Sequence, residues 1–306
     1  YVSIVEGREK RFIKGAFGKY LSPDVVAEIA NDPDSLALGG QSRPLTLLFS
    51  DLSGFTSLSE RLDPEALVAL LNEYLDDMTR VVLEERGYLD KYIGDAIMAF
   101  WNAPRDVPDH AARALRSAVL MQRALDDLNT RWGASGGERP ELRARIGVHT
   151  GEAVVGNVGG RDRFDYSAIG DAVNLAARIE PANDTYGTRI MTSRETLDAA
   201  GPEAFRSREL DLVTVKGKDT PVAVYEVVEL ADATLPAGLE EALERYRNGL
   251  VAYRERSWAK AKALFLSALE AWPDDGPSRV YVARCDEHLA DPPGADWDFV
   301  VRRTSK

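Results

Sequence analysis

The chain has 306 residues, enough for two domains or one large one, and its 44% apolar and 29% charged content is that of an ordinary globular protein. A formal net charge of -12 excludes a general nucleic-acid binder, although a small anion needs only a local group of basic residues. The single cysteine, Cys285, excludes an internal disulfide and a cysteine-built metal site, and it suits a reducing compartment.

Residues 1–43 read as an amphipathic connector, with Phe12, Ile13, Phe17 and Leu21 supplying apolar surface. Asn31-Asp-Pro-Asp and Gly39-Gly40 break its pattern. Arg8, Lys10, Arg11, Lys14 and Lys19 form a basic run that suits either a solvated helix or a segment just inside a membrane, following a spanning helix. Because the chain opens on Tyr1 rather than methionine, an upstream membrane or sensor domain is an expectation. No apolar stretch in these residues is long enough to span a bilayer and no signal peptide is visible. The residues present are therefore expected in the cytoplasm, as the cytoplasmic part of a bacterial membrane protein if such a domain precedes them.

Leu45–Thr56 begins as a short apolar run that ends in Asp51, the pattern of a buried strand whose last carboxylate meets solvent. A lone Asp there is either a helix cap or a ligand. Asp63-Pro64-Glu65 starts a long helix, with cap, proline in the first turn and acid at the positive end of the dipole. Leu67, Leu70, Leu71, Tyr74, Leu75, Met78 and Val82 give it one apolar face. Tyr88–Ile93 and Ala96–Trp101 then form a hairpin around Gly94-Asp95. Asp51 and Asp95 thus reach one rim of a sheet. Two such carboxylates repel unless cations sit between them, and hard oxygen-loving ions, Mg²⁺ or Mn²⁺, suit the pair. Paired metals are a recurring device for displacement at phosphorus.

A second helix is expected from about Pro108 to Trp132, followed by a loop over Gly133–Pro140. Leu142–Gly151 and Ala153–Val158 read as another hairpin pair. The order strand, helix, two strands, helix, strand is the ferredoxin-like, split βαβ arrangement of an α+β domain, with helices on one face and the other face free. Gly147, Gly151, Gly156, Gly159 and Gly160 fit neither phosphate-loop spacing, so they are expected in tight turns. His149 has no partner at ligand spacing and reads as a packed structural histidine.

Asp171–Tyr186 is helical, and Asn174 and Arg178 stand four apart on one face. Asn is a poor helix-interior residue, and the Arg178 fork suits phosphate oxygens; the alternative is an exposed polar pair. Arg189–Thr192, Glu209–Val215 and Pro221–Val228 read as strands flanking the basic turn Lys216-Gly-Lys218. Residues 231–238 read as a linker. Leu239–Tyr253, Trp258–Trp272 and Pro277–Leu289 read as three helices, and the Asp296-Trp-Asp-Phe-Val-Val end as a docking extended segment or a disordered one.

Five motifs then occur in a familiar order: Phe49-Ser-Asp51-Leu-Ser-Gly-Phe-Thr56, Lys91-Tyr-Ile-Gly-Asp95, Arg145-Ile-Gly-Val-His-Thr-Gly151, Tyr166-Ser-Ala-Ile-Gly-Asp-Ala-Val-Asn174-Leu-Ala-Ala-Arg178 and Val215-Lys-Gly-Lys218. Together they resemble the class III nucleotide cyclases over residues 44–230. The resemblance implies an adenylate cyclase converting ATP to 3′,5′-cyclic AMP and pyrophosphate at sites formed where two copies meet head to tail. It implies metal ligation by Asp51, Asp95 and the Leu52 carbonyl, with two divalent ions, Mg²⁺ or Mn²⁺. Asn174 and Arg178 fall on the pair that places the ribose and stabilises α-phosphate charge, and Arg145 and Lys216 on phosphate-contacting positions. Lys91 and Ser167 fall on the base-choosing positions; Ser167 departs from the family's Asp or Thr but keeps the Thr hydroxyl. A homodimer with two equal sites is implied, and no nucleic-acid partner. Residues 239–306 resemble a tetratricopeptide-type helical region. The alternatives are a guanylate cyclase, or an inactive cyclase-like dimerisation module.

Overall fold

The computed structural model of the chain describes residues 38–134, 140–160, 163–214 and 221–302. The connector up to residue 37, much of the 133–140 loop and the Lys216-Gly-Lys218 turn lie outside the described residues. The strands are β1 (Gly39–Leu52), β2 (Tyr88–Ile93), β3 (Ala96–Trp101), β4 (Ala144–Gly159), β5 (Phe164–Ile169), β6 (Ile190–Ser193), β7 (Phe205–Thr214), β8 (Val222–Leu230) and β9 (Val300–Arg302). The helices are α1 (Phe55–Ser59), α2 (Pro64–Glu84), α3 (His110–Ala134), α4 (Asp171–Tyr186), α5 (Arg194–Ala200), α6 (Leu239–Arg254), α7 (Trp258–Ala271) and α8 (Gly276–Ala290).

The order β1-α2-β2-β3-α3-β4 is the ferredoxin-like α+β arrangement expected, and the strands form one mixed sheet in the order β2-β3-β1-β4-β6-β8-β7-β9. β1 is an interior strand, antiparallel to both of its neighbours, β3 and β4. Side chains alternate across it: Leu48 and Leu52 join Tyr74 and Met78 of α2 and Leu115 of α3 in one core, while Leu45 and Leu47 join Met98, Phe100, Ala168 and Ala172 in another. A strand covered on both sides reads as a continuous apolar run, which is what Leu45–Phe49 provides. The face expected to be free is therefore partly covered, by β5 and α4.

β4 differs from the expected hairpin pair. It runs unbroken for 16 residues, its first half beside β6 and its second half beside β5. Gly160 does lie in the connection from β4 to β5, its amide donating to the Arg163 carbonyl at 2.8 Å, but Gly147 and Gly156 serve instead as places of close approach. A Cβ on Gly147 would strike the backbone of Glu180 in α4, and one on Gly156 the backbone of Gly39. Gly39-Gly40, read as a breaker, opens β1, and there a Cβ on Gly40 would strike Val154 and the Val155 carbonyl. His149 is buried and its Nδ1 lies 2.7 Å from Ser193 Oγ, in keeping with a structural histidine.

The three C-terminal helices pack around Tyr246, Tyr253, Phe265 and Tyr281. The Tyr281 hydroxyl donates to the Leu210 carbonyl of β7 at 2.6 Å, and Arg284 pairs with buried Asp211 at 2.6 Å. The extended end docks, as one of the two readings expected, with β9 running parallel to β7. Among the described residues no helix is long and apolar enough to cross a membrane.

Candidate active site

Asp51 is the penultimate residue of β1, and Asp95 is the second residue of the two-residue turn between β2 and β3. Gly94 takes φ of 69°, the left-handed backbone such a hairpin turn asks of its first residue. The β1–β3 pairing, Ser50 opposite Ile97, then sets the turn beside the end of β1. The two carboxylates do meet, and Asp95 accepts a hydrogen bond from the Leu52 amide at 3.2 Å. Burial, then the charge of Asp51, pushes the Asp95 carboxyl up to about 6, against the opposing pull of backbone amides. Two carboxylates crowded at a rim form a donor set suited to a hard cation. Among the described residues no group of three or more His, Cys, Asp or Glu side chains is arranged to hold a metal ion by itself. Two carboxylates and a main-chain oxygen nevertheless fit Mg²⁺-type binding, where water and substrate phosphates complete the shell.

Arg145, on β4 opposite Asp51, is held by three carboxylates. Its guanidinium lies 2.9 Å from Asp51 and 2.9 Å from Glu180, and it also pairs with Asp184. Burial pulls the guanidinium down, but Glu180, Asp184 and Asp51 outweigh it and raise the pKa. Burial pushes Glu180 up to about 7, with Arg145 opposing. Neither Glu180 nor Asp184 belongs to a motif in the sequence that marks it as a site residue. A signal existed: Ala172, Ala176 and Glu180 recur every four residues, so a carboxylate falls on a row of small buried side chains.

Asn174 and Arg178 both stand exposed on α4, one turn apart. The end of α4 that reaches Arg145 and Asp51 presents Glu180 and Asp184 instead. Lys91 on β2 and Ser167 on β5 form a separate group, joined through Asp90. The Ser167 hydroxyl donates to Asp90 Oδ2 at 2.6 Å, and Lys91 Nζ lies 3.3 Å from Asp90 Oδ1. In the sequence Asp90 reads as one more residue of an ordinary strand. The β2–β3 register slips between Leu89 and Lys91, leaving Asp90 as the extra residue of a bulge. Lys216 lies outside the described residues.

Residues 40–228 match the family model described as "Adenylate and Guanylate cyclase catalytic domain". The chain is similar to Adenylate cyclase 1 of Rhizobium meliloti, at 40% identity over 62% of this chain and 28% of that one. Among solved structures it resembles the adenylyl cyclase CyaB from P. aeruginosa, with a TM-score of 0.57 and 37% identity over 63% of this chain and 97% of that one. It also resembles the guanylyl cyclase Cya2, with a TM-score of 0.58 and 40% identity over 64% of this chain and 96% of that one. The chain spans between 12% and 42% of the length of the first curated relatives it matches.

Proposed function

The chain belongs to the adenylate and guanylate cyclase catalytic-domain family, and from that premise we propose that it converts ATP to 3′,5′-cyclic AMP and pyrophosphate at sites shared by two copies of itself. The single observation that carries the reading is the meeting of Asp51 and Asp95 at the sheet rim, where burial and then the Asp51 charge push the Asp95 carboxyl up to about 6. Asp51, Asp95 and the Leu52 carbonyl would hold the divalent ions, Mg²⁺ or Mn²⁺. When bound, these ions supply charge that eases ionisation of the ribose 3′-hydroxyl and neutralises the triphosphate.

In the reaction the 3′-oxygen attacks the α-phosphorus, its proton leaves, and the bond to the pyrophosphate oxygen breaks. Arg178 directs its guanidinium fork at the α-phosphate oxygens, where charge builds, and Asn174 one turn away orients the ribose. Arg145 and Lys216 contact phosphate. For Arg145 this means exchanging some of its three carboxylate partners for phosphate oxygens. Lys91 and Ser167 read the base. Since the α4 end next to Asp51 carries Glu180 and Asp184, a second copy, docked head to tail, brings Asn174 and Arg178 to the metal pair.

We further read residues 44–230 as the cyclase domain, 231–238 as a linker and 239–306 as a tetratricopeptide-type helical region. The close seating of Gly249 of α6 on the Phe265 ring of α7 supports that last reading. An upstream sensor or membrane domain accords with the fraction of its relatives that the chain spans.

Guanylate formation is a second reading, favoured by the likeness to Cya2 and opposed by Lys91, which donates only. The test is a turnover assay with ATP, and separately GTP, in Mn²⁺ or Mg²⁺, with the cyclic product read by mass. Cyclic AMP is expected, with its formation abolished in Asp51→Ala and Asp95→Ala. Persistent turnover in either variant would remove the substituted carboxylate from the mechanism and with it the paired metal site.

A further inference from the structure

Asp90 is a carboxylate that the reaction does not use, yet its side chain is only 1% exposed. Burying an acid is costly unless something is gained from it, and burial does raise its pKa, against Ser167, Lys91 and the Ala168 backbone, which lower it. A bulge in β2 sets the residue out of register with β3, a recurrent means of re-aiming a side chain near an active site. On β5, which the sheet order separates from β2 by β3, β1 and β4, Ser167 sits opposite Gly156 of β4 and is itself 6% exposed. The Asp90 carboxylate closes the gap, one oxygen taking the Ser167 proton at 2.6 Å and the other facing Lys91 Nζ at 3.3 Å.

A serine hydroxyl has one proton and two lone pairs. With that proton committed to Asp90, the oxygen has only lone pairs to offer a ligand. Adenine presents a 6-amino donor where guanine presents a 6-oxo acceptor. Lys91, a donor in all its rotamers, suits the ring nitrogen N1 of adenine, which accepts, and clashes with the protonated N1 of guanine.

We propose that Asp90 is the positioning residue for base choice: it fixes Ser167 as a pure acceptor and Lys91 as the donor beside it, so that the pair selects ATP and rejects GTP. The inference rests on the nucleotide-cyclase reading above. It deepens that reading by placing the origin of selectivity one layer behind the two residues that meet the base. In Asp90→Asn the side-chain amide can donate to the Ser167 oxygen, releasing the serine proton to meet a 6-oxo group.

The test compares kcat/KM for ATP and GTP in the whole chain, for the wild type, Asp90→Asn, Ser167→Ala and the double variant. The ATP-to-GTP ratio is expected to fall about tenfold or more in Asp90→Asn. Most of that fall should vanish when the substitution is made on a Ser167→Ala background. A parallel loss on both nucleotides, or an unchanged ratio, would overturn the proposal. The wild type provides an independent check that needs no variant: 2,6-diaminopurine riboside triphosphate should be used like ATP, and inosine triphosphate, with its 6-oxo group, should be refused like GTP. Inosine triphosphate turned over as well as ATP would overturn the proposal too. Wild-type chain that makes no cyclic nucleotide from ATP would instead refute the function reading, a distinct result.

Discussion

Asp51 and Asp95 are set against each other by the fold, and stability bears the cost. The folded pKa of Asp95 lies above the ordinary carboxylate value, so the folded chain holds this proton more tightly than the unfolded one. Its unfavourable contribution grows as pH rises from the ordinary value through about 6 and is complete above that. Asp95→Asn should therefore melt a few degrees above the wild type at pH 8 in chelator, while losing turnover. Below pH 4 the two melting temperatures should converge. A variant that melts lower at pH 8 would show that the charged Asp95 carboxylate carries no net cost in the folded chain. At this scale the sequence was readable where a residue stood in a turn or at a strand end, as Asp51 and Asp95 do. It was unreadable where an acid owed its place to another element. Asp90 acquires its meaning from a bulge and from Ser167, 77 positions away. Glu180 acquires its meaning from Arg145, across the interface between α4 and β4.

Among the elements, β4 and α4 decide how the site is held. The glycine-rich stretch of β4 looked like turns because glycine is the residue of turns. Glycine also permits backbones to approach, and here that use prevails: α4 lies directly on Gly147. This contact delivers Glu180 and Asp184 to Arg145 and sets the height of Asn174 and Arg178. Gly147→Ala should force α4 away from the sheet, costing about 1–3 kcal/mol and lowering kcat for ATP. Urea unfolding together with steady-state kinetics would check it; unchanged stability and kcat would mean that α4 does not depend on this seat. The long helices and the Gly94-Asp95 hairpin were legible because caps, apolar periodicity and turn residues agreed with one another. The continuity of β4 was not, because periodicity says nothing about what packs on a glycine.

Over the whole molecule, the C-terminal helices are joined to the sheet by more than a linker. Arg208 of β7 is buried between Glu226 and Asp275, at 2.6 and 2.5 Å, and Arg284 of α8 reaches Asp211 beside Tyr186 at the end of α4. Tyrosines at helical spacing announced that these helices exist. Their seat depends on ion pairs between distant segments, which no local pattern encodes. The larger arrangement that we propose, two copies completing each other's sites, rests on assigning the metal role to the Asp51–Asp95 rim and the ribose and phosphate roles to the exposed Asn174–Arg178 face of α4. The direct measurement mixes Asp51→Ala and Arg178→Ala chains, each expected to be inactive alone. If sites are shared, half of a random equal mixture is heterodimer with one intact site of two, so turnover should recover to about a quarter of the wild-type value. A mixture that stays as inactive as its components, with heterodimers confirmed by native mass spectrometry, would contradict the shared site and the account built on it.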